Sequence, residues 1–149
     1  MIHEQGTTTY ADFLERRRQL GGDHGFDPVV LPDSLFPFQR DLVEWAVRKG
    51  RAAIFADCGL GKTLMELVWA ENVVQHAWRP VLIVAPLAVT YQFEAEAAKF
   101  GINVAVSRDG SIPAGITVTN YDRLHHFDPA KFAGIVCDES SAIKSVTGE

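Results

Sequence analysis

Ala56-Asp57-Cys58-Gly59-Leu60-Gly61-Lys62-Thr63 decides how the rest of this 149-residue chain is read. It follows the apolar run Ala52-Ala53-Ile54-Phe55 and opens a helical pattern near Lys62. A strand, a glycine-bearing turn ending in Gly-Lys-Thr, and then a helix is how proteins hold nucleotide phosphates. Such a turn leaves backbone N–H groups, here from Cys58 to Thr63, pointing inward beside the positive end of the helix dipole. Gly59 and Gly61 carry no Cβ, which permits the tight turn and the close approach of phosphate oxygens. Lys62 would reach the β- and γ-phosphates, and the Thr63 hydroxyl would complete a Mg²⁺ coordination shell. The general pattern begins with glycine, where this chain has Ala56. The competing reading is a strand–turn–helix corner that merely contains glycines.

The length fits one domain with a sizeable core. Hydrophobic residues make up 47% and charged residues 22%, an ordinary globular balance. A net charge of −5 gives no electrostatic footprint for nucleic acid, which argues against a tight nucleic-acid-binding module working alone. One wall of a groove remains compatible with it. The two cysteines, Cys58 and Cys137, fit no zinc spacing, and each adjoins an acidic residue of a candidate site. A disulfide there would lock that site, so both are read as free thiols of a reducing, intracellular protein. No signal-peptide core and no membrane-length apolar run occurs in the sequence, and a soluble protein is expected.

Residues 1–8 read as a loose polar terminus and residues 10–20 as a helix carrying Arg16-Arg17-Arg18, a solvated charged face. A turn-rich connector covers residues 21–32. A helix is predicted over residues 37–49, with Phe38, Leu42, Trp45 and Ala46 inward and Gly50 ending it. Residues 52–55 are a predicted strand, 62–77 an amphipathic helix and 81–85 a buried strand. A helix over 88–100, strands at 102–106 and 115–119, a short helix at 121–126 and a strand at 132–137 follow. Strands alternating with helices indicate a parallel sheet covered on both faces, an α/β three-layer sandwich of the P-loop type.

A phosphate loop needs a partner that holds Mg²⁺ and prepares a water. Gly134-Ile135-Val136-Cys137-Asp138-Glu139 supplies it, because an apolar strand delivers carboxylates to its carboxyl end, where ligands bind in open α/β sheets. Asp138 would hold Mg²⁺, and Glu139 would orient and deprotonate the attacking water. The plain alternative is a pair of loop carboxylates, which the upstream phosphate loop disfavours.

These residues carry a family resemblance. Ala56 to Thr63 resembles the alanine-led phosphate loop, A-x-x-G-x-G-K-T, of superfamily 2 helicases and translocases. Asp138-Glu139-Ser140-Ser141 resembles their DExx box, and Ala142-Ile143-Lys144 its continuation in the Swi/Snf-like branch. Phe36-Pro37-Phe38-Gln39-Arg40 is similar to the stretch with the adenine-reading glutamine, here Gln39. Val84-Ala85-Pro86-Leu87 with Gln92-Phe93 is similar to motif Ia, and Thr117-Val118-Thr119-Asn120-Tyr121-Asp122 to motif Ib. The resemblance runs over residues 36–144. It implies the N-terminal RecA-like lobe of a nucleic-acid-dependent ATPase, using ATP and Mg²⁺ and acting on nucleic acid, double-stranded DNA foremost. Pro86, Thr119 and Asn120 would then meet nucleic-acid phosphates, with ordinary turn chemistry as the alternative. Gln39 is otherwise a surface glutamine, and Phe36 or Phe38 either stacks on the base or belongs to the core. Tyr91, Trp69 and Trp78 are read as packing residues, and His125 and His126 as helix-end histidines.

The family's arginine fingers come from a second RecA-like lobe, which this sequence does not contain, and the serine/threonine motif after the DExx strand is also missing. Residues 1–34 are accordingly read as an N-terminal helix and connector, and 35–149 as an incomplete lobe. A fragment of a longer motor is the favoured reading, with weak ATP·Mg²⁺ binding and little turnover. A non-hydrolysing interaction module and a restriction- or packaging-type motor subunit are the alternatives.

Overall fold

A computed structural model of the chain describes residues 9–11, 24–54 and 61–138. Residues 10 and 11 are helical, while the rest of the predicted helix over 10–20, the arginines at 16–18, most of the phosphate loop and Glu139 lie outside the described residues. The elements are α1 (Pro37–Lys49), α2 (Lys62–Ala77), β1 (Val81–Ala85), α3 (Leu87–Lys99), β2 (Val104–Val106), β3 (Ile116–Asn120) and β4 (Gly134–Cys137). Two 3-10 helices, Tyr121–His126 and Pro129–Lys131, join β3 to β4. The strands form one parallel sheet in the order β2-β3-β1-β4. No helix among these residues is long and apolar enough to cross a membrane.

β1 is the central strand, and every residue in it is buried. That explains its unbroken Val-Leu-Ile-Val-Ala run, since a parallel strand covered on both faces has no polar side to show. Val81, Ile83 and Ala85 face α2 and α3 through Leu67, Ala70, Val73, Phe93 and Ala97. Leu82 and Val84 face the other way, against Phe127 and Phe132 from the 3-10 segments. The α/β expectation is thus borne out, with a parallel sheet flanked by helices and its second cover built of 3-10 turns. α2 is buried on two sides, because Leu64, Met65 and Val68 pack against Val43 and Val47 of α1.

Three expectations need correction. Within α1 the buried face is Gln39, Val43, Ala46 and Val47, whereas Phe38 and Trp45 are each 44% exposed. The inward stripe is rotated because a glutamine, normally a surface residue, occupies its first position. Tyr91 and Trp78 are exposed as well, and only Trp69 of the three expected packing residues joins the core. Residues 52–54 form no strand. Extended backbone becomes a strand only when a neighbour pairs its N–H and C=O groups. Here residues 51–54, Trp69 and β4, an edge strand among the described residues, line one cleft of about 1050 Å³.

The connector before α1 is closely fitted. The N–H groups of His24, Gly25 and Phe26 donate to the carbonyls of Lys49, Arg48 and Val47, which lie in the last turn of α1 and have no helical partners. A Cβ on Gly25 would collide with the Val47 carbonyl, so only glycine permits this crossing. Asn72 of α2 is fully buried and stitches the next residues down. Its Oδ1 accepts from Val29 and Val30 N–H at 2.7 and 2.8 Å, and its Nδ2 donates to Val30 and Val68 carbonyls at 2.7 and 2.8 Å.

Candidate functional site

Gly61 precedes α2 in the left-handed conformation, with φ 72° and ψ 33°, and no side chain caps the helix. The first-turn N–H groups of this sixteen-residue helix, which have no partner within the helix, lie at its positive end, with Lys62 and Thr63 as its first residues. Lys62 Nζ lies 2.8 Å from Asp138 Oδ1. The two side chains are 31% and 10% exposed, so this is a shielded pair and not one of the weak, solvent-spread pairs of a surface. Two sequence-predicted site residues, one at a helix start and one beyond a strand end, are brought together.

Asp138 owes its place to the sheet. β4 pairs with β1 up to Val84↔Cys137, and the Asp138 N–H extends the ladder by donating to the Val84 carbonyl at 2.8 Å. The Asp138 carbonyl accepts from the Tyr121 hydroxyl at 2.6 Å. Cys137 is a free, exposed thiol; partial burial and then the nearby Glu66 carboxylate raise its pKa.

Gln39 is buried, which removes the surface-glutamine alternative. Its Oε1 accepts from the Phe36 N–H at 2.9 Å, which aims the carboxamide nitrogen at Gly61, where it fills the space of a Cβ. Phe36 and Phe38, exposed and nearly parallel with centroids 6.3 Å apart, flank this glutamine outside the core. Cys58, Gly59 and Leu60 lie outside the described residues, as does Glu139.

The residues expected to meet nucleic acid sit elsewhere. Pro86 follows β1 and precedes α3, half-buried, with its carbonyl accepting from Val89 N–H. Thr119 and Asn120 end β3 with 0% and 3% exposure. Thr119 Oγ1 and Asn120 Oδ1 find no hydrogen-bond partner among the described residues.

Sequence reasoning missed Asn72 and the Tyr121 hydroxyl. Asn72 left a signal, a lone carboxamide within the apolar stripe of α2. Tyr121 left none, since nothing in the sequence says that a residue after β3 reaches the end of β4.

The donor set suits a magnesium–triphosphate group. It offers the Lys62 ammonium and the Asp138 carboxylate at the carboxyl end of a parallel strand, with Thr63 next along the same helix start. A four-stranded parallel sheet flanked by helices is the architecture of a RecA-like lobe.

Comparison with known proteins narrows the class. The chain is 34% identical over 128 residues to the SWI/SNF-related matrix-associated actin-dependent regulator of chromatin subfamily A-like protein 1 of Xenopus tropicalis, covering 78% of this chain and 13% of that protein. The Xenopus laevis counterpart is 34% identical over 125 residues, 76% of this chain and 13% of the relative. The mouse DNA annealing helicase and endonuclease ZRANB3 is 31% identical over 141 residues, 82% of this chain and 13% of the relative. No protein-family model matches. Over this fragment-sized match the chain is a distant homologue of these Swi/Snf-related helicases. It spans about 13% of the length of the curated relatives it matches.

Proposed function

We propose that this chain is the ATP-binding lobe of a DNA-translocating ATPase, binding ATP with Mg²⁺ and coupling to DNA within a two-lobed assembly. The observation that carries the reading is the 2.8 Å approach of Lys62 to Asp138 at the start of an uncapped helix. Lys62 would turn its ammonium to the β- and γ-phosphates, and the first-turn N–H groups of α2 would take the remaining phosphate oxygens. Thr63 and Asp138 would hold Mg²⁺, which when bound neutralises charge on the triphosphate. Glu139, next in sequence to Asp138, would orient the hydrolytic water. Gln39 would read the adenine edge.

Turnover would need a cationic group from a second lobe, so the isolated chain should bind ATP weakly and hydrolyse it slowly. Double-stranded DNA is the proposed track, supported by the printed description of the mouse relative as a DNA annealing helicase. DNA would run past the Pro86 and Asn120 ends of β1 and β3, meeting backbone groups more than the buried Thr119 and Asn120 side chains. Calorimetric titration with ATP and Mg²⁺ tests the proposal. A saturable heat that vanishes in Lys62→Ala supports it, and no heat in the unaltered chain overturns it in favour of an interaction module.

A further inference from the structure

The main chain of Asp138 is held on both sides. Its N–H donates to the Val84 carbonyl at 2.8 Å, which closes the β1–β4 ladder. Its carbonyl accepts from the Tyr121 hydroxyl at 2.6 Å, and that bond comes from the 3-10 segment that follows a different strand. Tyr121 directly follows Asn120, the last residue of β3, and β1 lies between β3 and β4 in the sheet. The side chain therefore spans the end of β1, packed against the cluster of Leu82, Val84, Phe127 and Phe132, and its hydroxyl reaches Asp138. Packing alone would ask only for the ring. The hydroxyl is the donor that a phenylalanine would lack.

The geometry points to Tyr121 as a positioning residue for the Asp138 carboxylate. Beyond Cys137 the strand has ended, and the ladder restrains Asp138 only through its N–H. The Tyr121 bond fixes the peptide plane on the other side, so the carboxylate is presented to Lys62 from a backbone clamped at both ends. This rests on the nucleotide reading above, in which Asp138 is a Mg²⁺ ligand. Tyr121 then acts on the Mg²⁺-dependent part of ATP binding and not on the part that Lys62 carries. It also ties the end of β3 to the nucleotide site by one identifiable bond.

The experiment is calorimetric titration of ATP into the full chain across a series of Mg²⁺ concentrations, for the unaltered protein and Tyr121→Phe. The expected result is an ATP affinity about fivefold weaker in excess Mg²⁺, the equilibrium worth of one ordinary hydrogen bond. Affinity without Mg²⁺ should stay within about twofold of the unaltered protein. Amide exchange at Asp138, read by NMR, should accelerate in the same variant without any nucleotide. A purely structural role would lower thermal stability while leaving the Mg²⁺ dependence superimposable, and that result overturns the inference. Should Tyr121→Phe lose its fold, a ring-fluorinated tyrosine placed at position 121, a stronger hydrogen-bond donor, should shift the Mg²⁺ dependence the opposite way. No shift there also overturns the inference. Absence of ATP binding by the unaltered chain is a separate outcome, which overturns the nucleotide reading and this inference with it.

Discussion

Lys62 and Asp138 form a 2.8 Å ion pair between the first residue of α2 and the residue just past β4. Neither element positions the pair alone. The left-handed Gly61 turns the chain into α2, and the ladder to β1 carries Asp138 to the same end of the sheet. The ammonium and the carboxylate thus balance each other where a phosphate group would meet both.

Removing the ammonium is the most direct perturbation of that pair. Lys62→Ala should lower unfolding stability by about 1–3 kcal/mol, because a shielded carboxylate loses its counter-charge. It should also abolish the stabilisation by ATP·Mg²⁺, about 2.7 kcal/mol with ligand at about a hundredfold its Kd. Thermal unfolding with and without nucleotide measures both. An unchanged nucleotide-induced shift would show that Lys62 is not the phosphate-binding cation.

Gly61 and Gly101 offer a matched comparison. Both have positive φ, 72° and 69°, but a Cβ on Gly61 meets the Gln39 carboxamide while one on Gly101 meets open space. Gly101→Ala should cost about 1 kcal/mol, the price of the backbone conformation alone. Gly61→Ala should cost more than about 2 kcal/mol, and Gln39→Ala in the same chain should recover part of the excess. Urea denaturation of these three variants and of Gln39→Ala alone checks the coupling, and simple additivity would refute the contact.

Asn72 predicts a localised failure. Asn72→Ala removes the partners of two N–H groups and of two carbonyls, and should cost about 3 kcal/mol. The loss should open the segment at 24–35 before the sheet. Limited proteolysis should cut first near Val29 and Val30, and cleavage first within β1 or β3 would contradict this.

Most of the sheet was legible in the sequence. The run at 81–85 could only be a doubly covered strand, and the strand, turn and helix signals after it fell within a residue or two of the observed elements. That Lys62 opens a helix and Asp138 ends a strand was legible as well, because both positions follow from the strand and helix signals; the phosphate role proposed for them rests on that placement. The facing of α1 was not, since Gln39 is buried for a contact with Gly61 that hydrophobic periodicity cannot register. The missing strand at 52–54 has the same origin, because pairing depends on a neighbour and not on the apolar run itself. The strap from Tyr121 to Asp138 spans three strands, and no local pattern encodes it.

The loop after β2 carries a pH signature. Asp109 has its pKa lowered to about 2, first by the Ser111 hydroxyl at 2.6 Å, then by the Ser111 N–H and the Ser107 hydroxyl. The folded value lies below the unfolded one, about 3.9. The contribution to stability is therefore complete above the unfolded value and is lost as pH falls through about 2. An NMR titration of the Asp109 carboxyl should show the low midpoint, and Ser111→Ala should move it upward. A midpoint unchanged by that substitution would mean the serine hydroxyl is not its cause.

Trp69 gives β4, an edge strand among the described residues, an optical reporter. Its ring lies close enough to touch a Cβ at Gly134, and it lines the cleft together with residues 51–54, whereas of the chain's other two tryptophans Trp78 stands almost wholly in water and Trp45 is 44% exposed on α1, away from this cleft. An added polypeptide strand along that edge would dehydrate one indole and leave the other two as they are. Its arrival would register as a blue shift in emission from a single fluorophore, so association at the sheet edge is observable in the unlabelled protein.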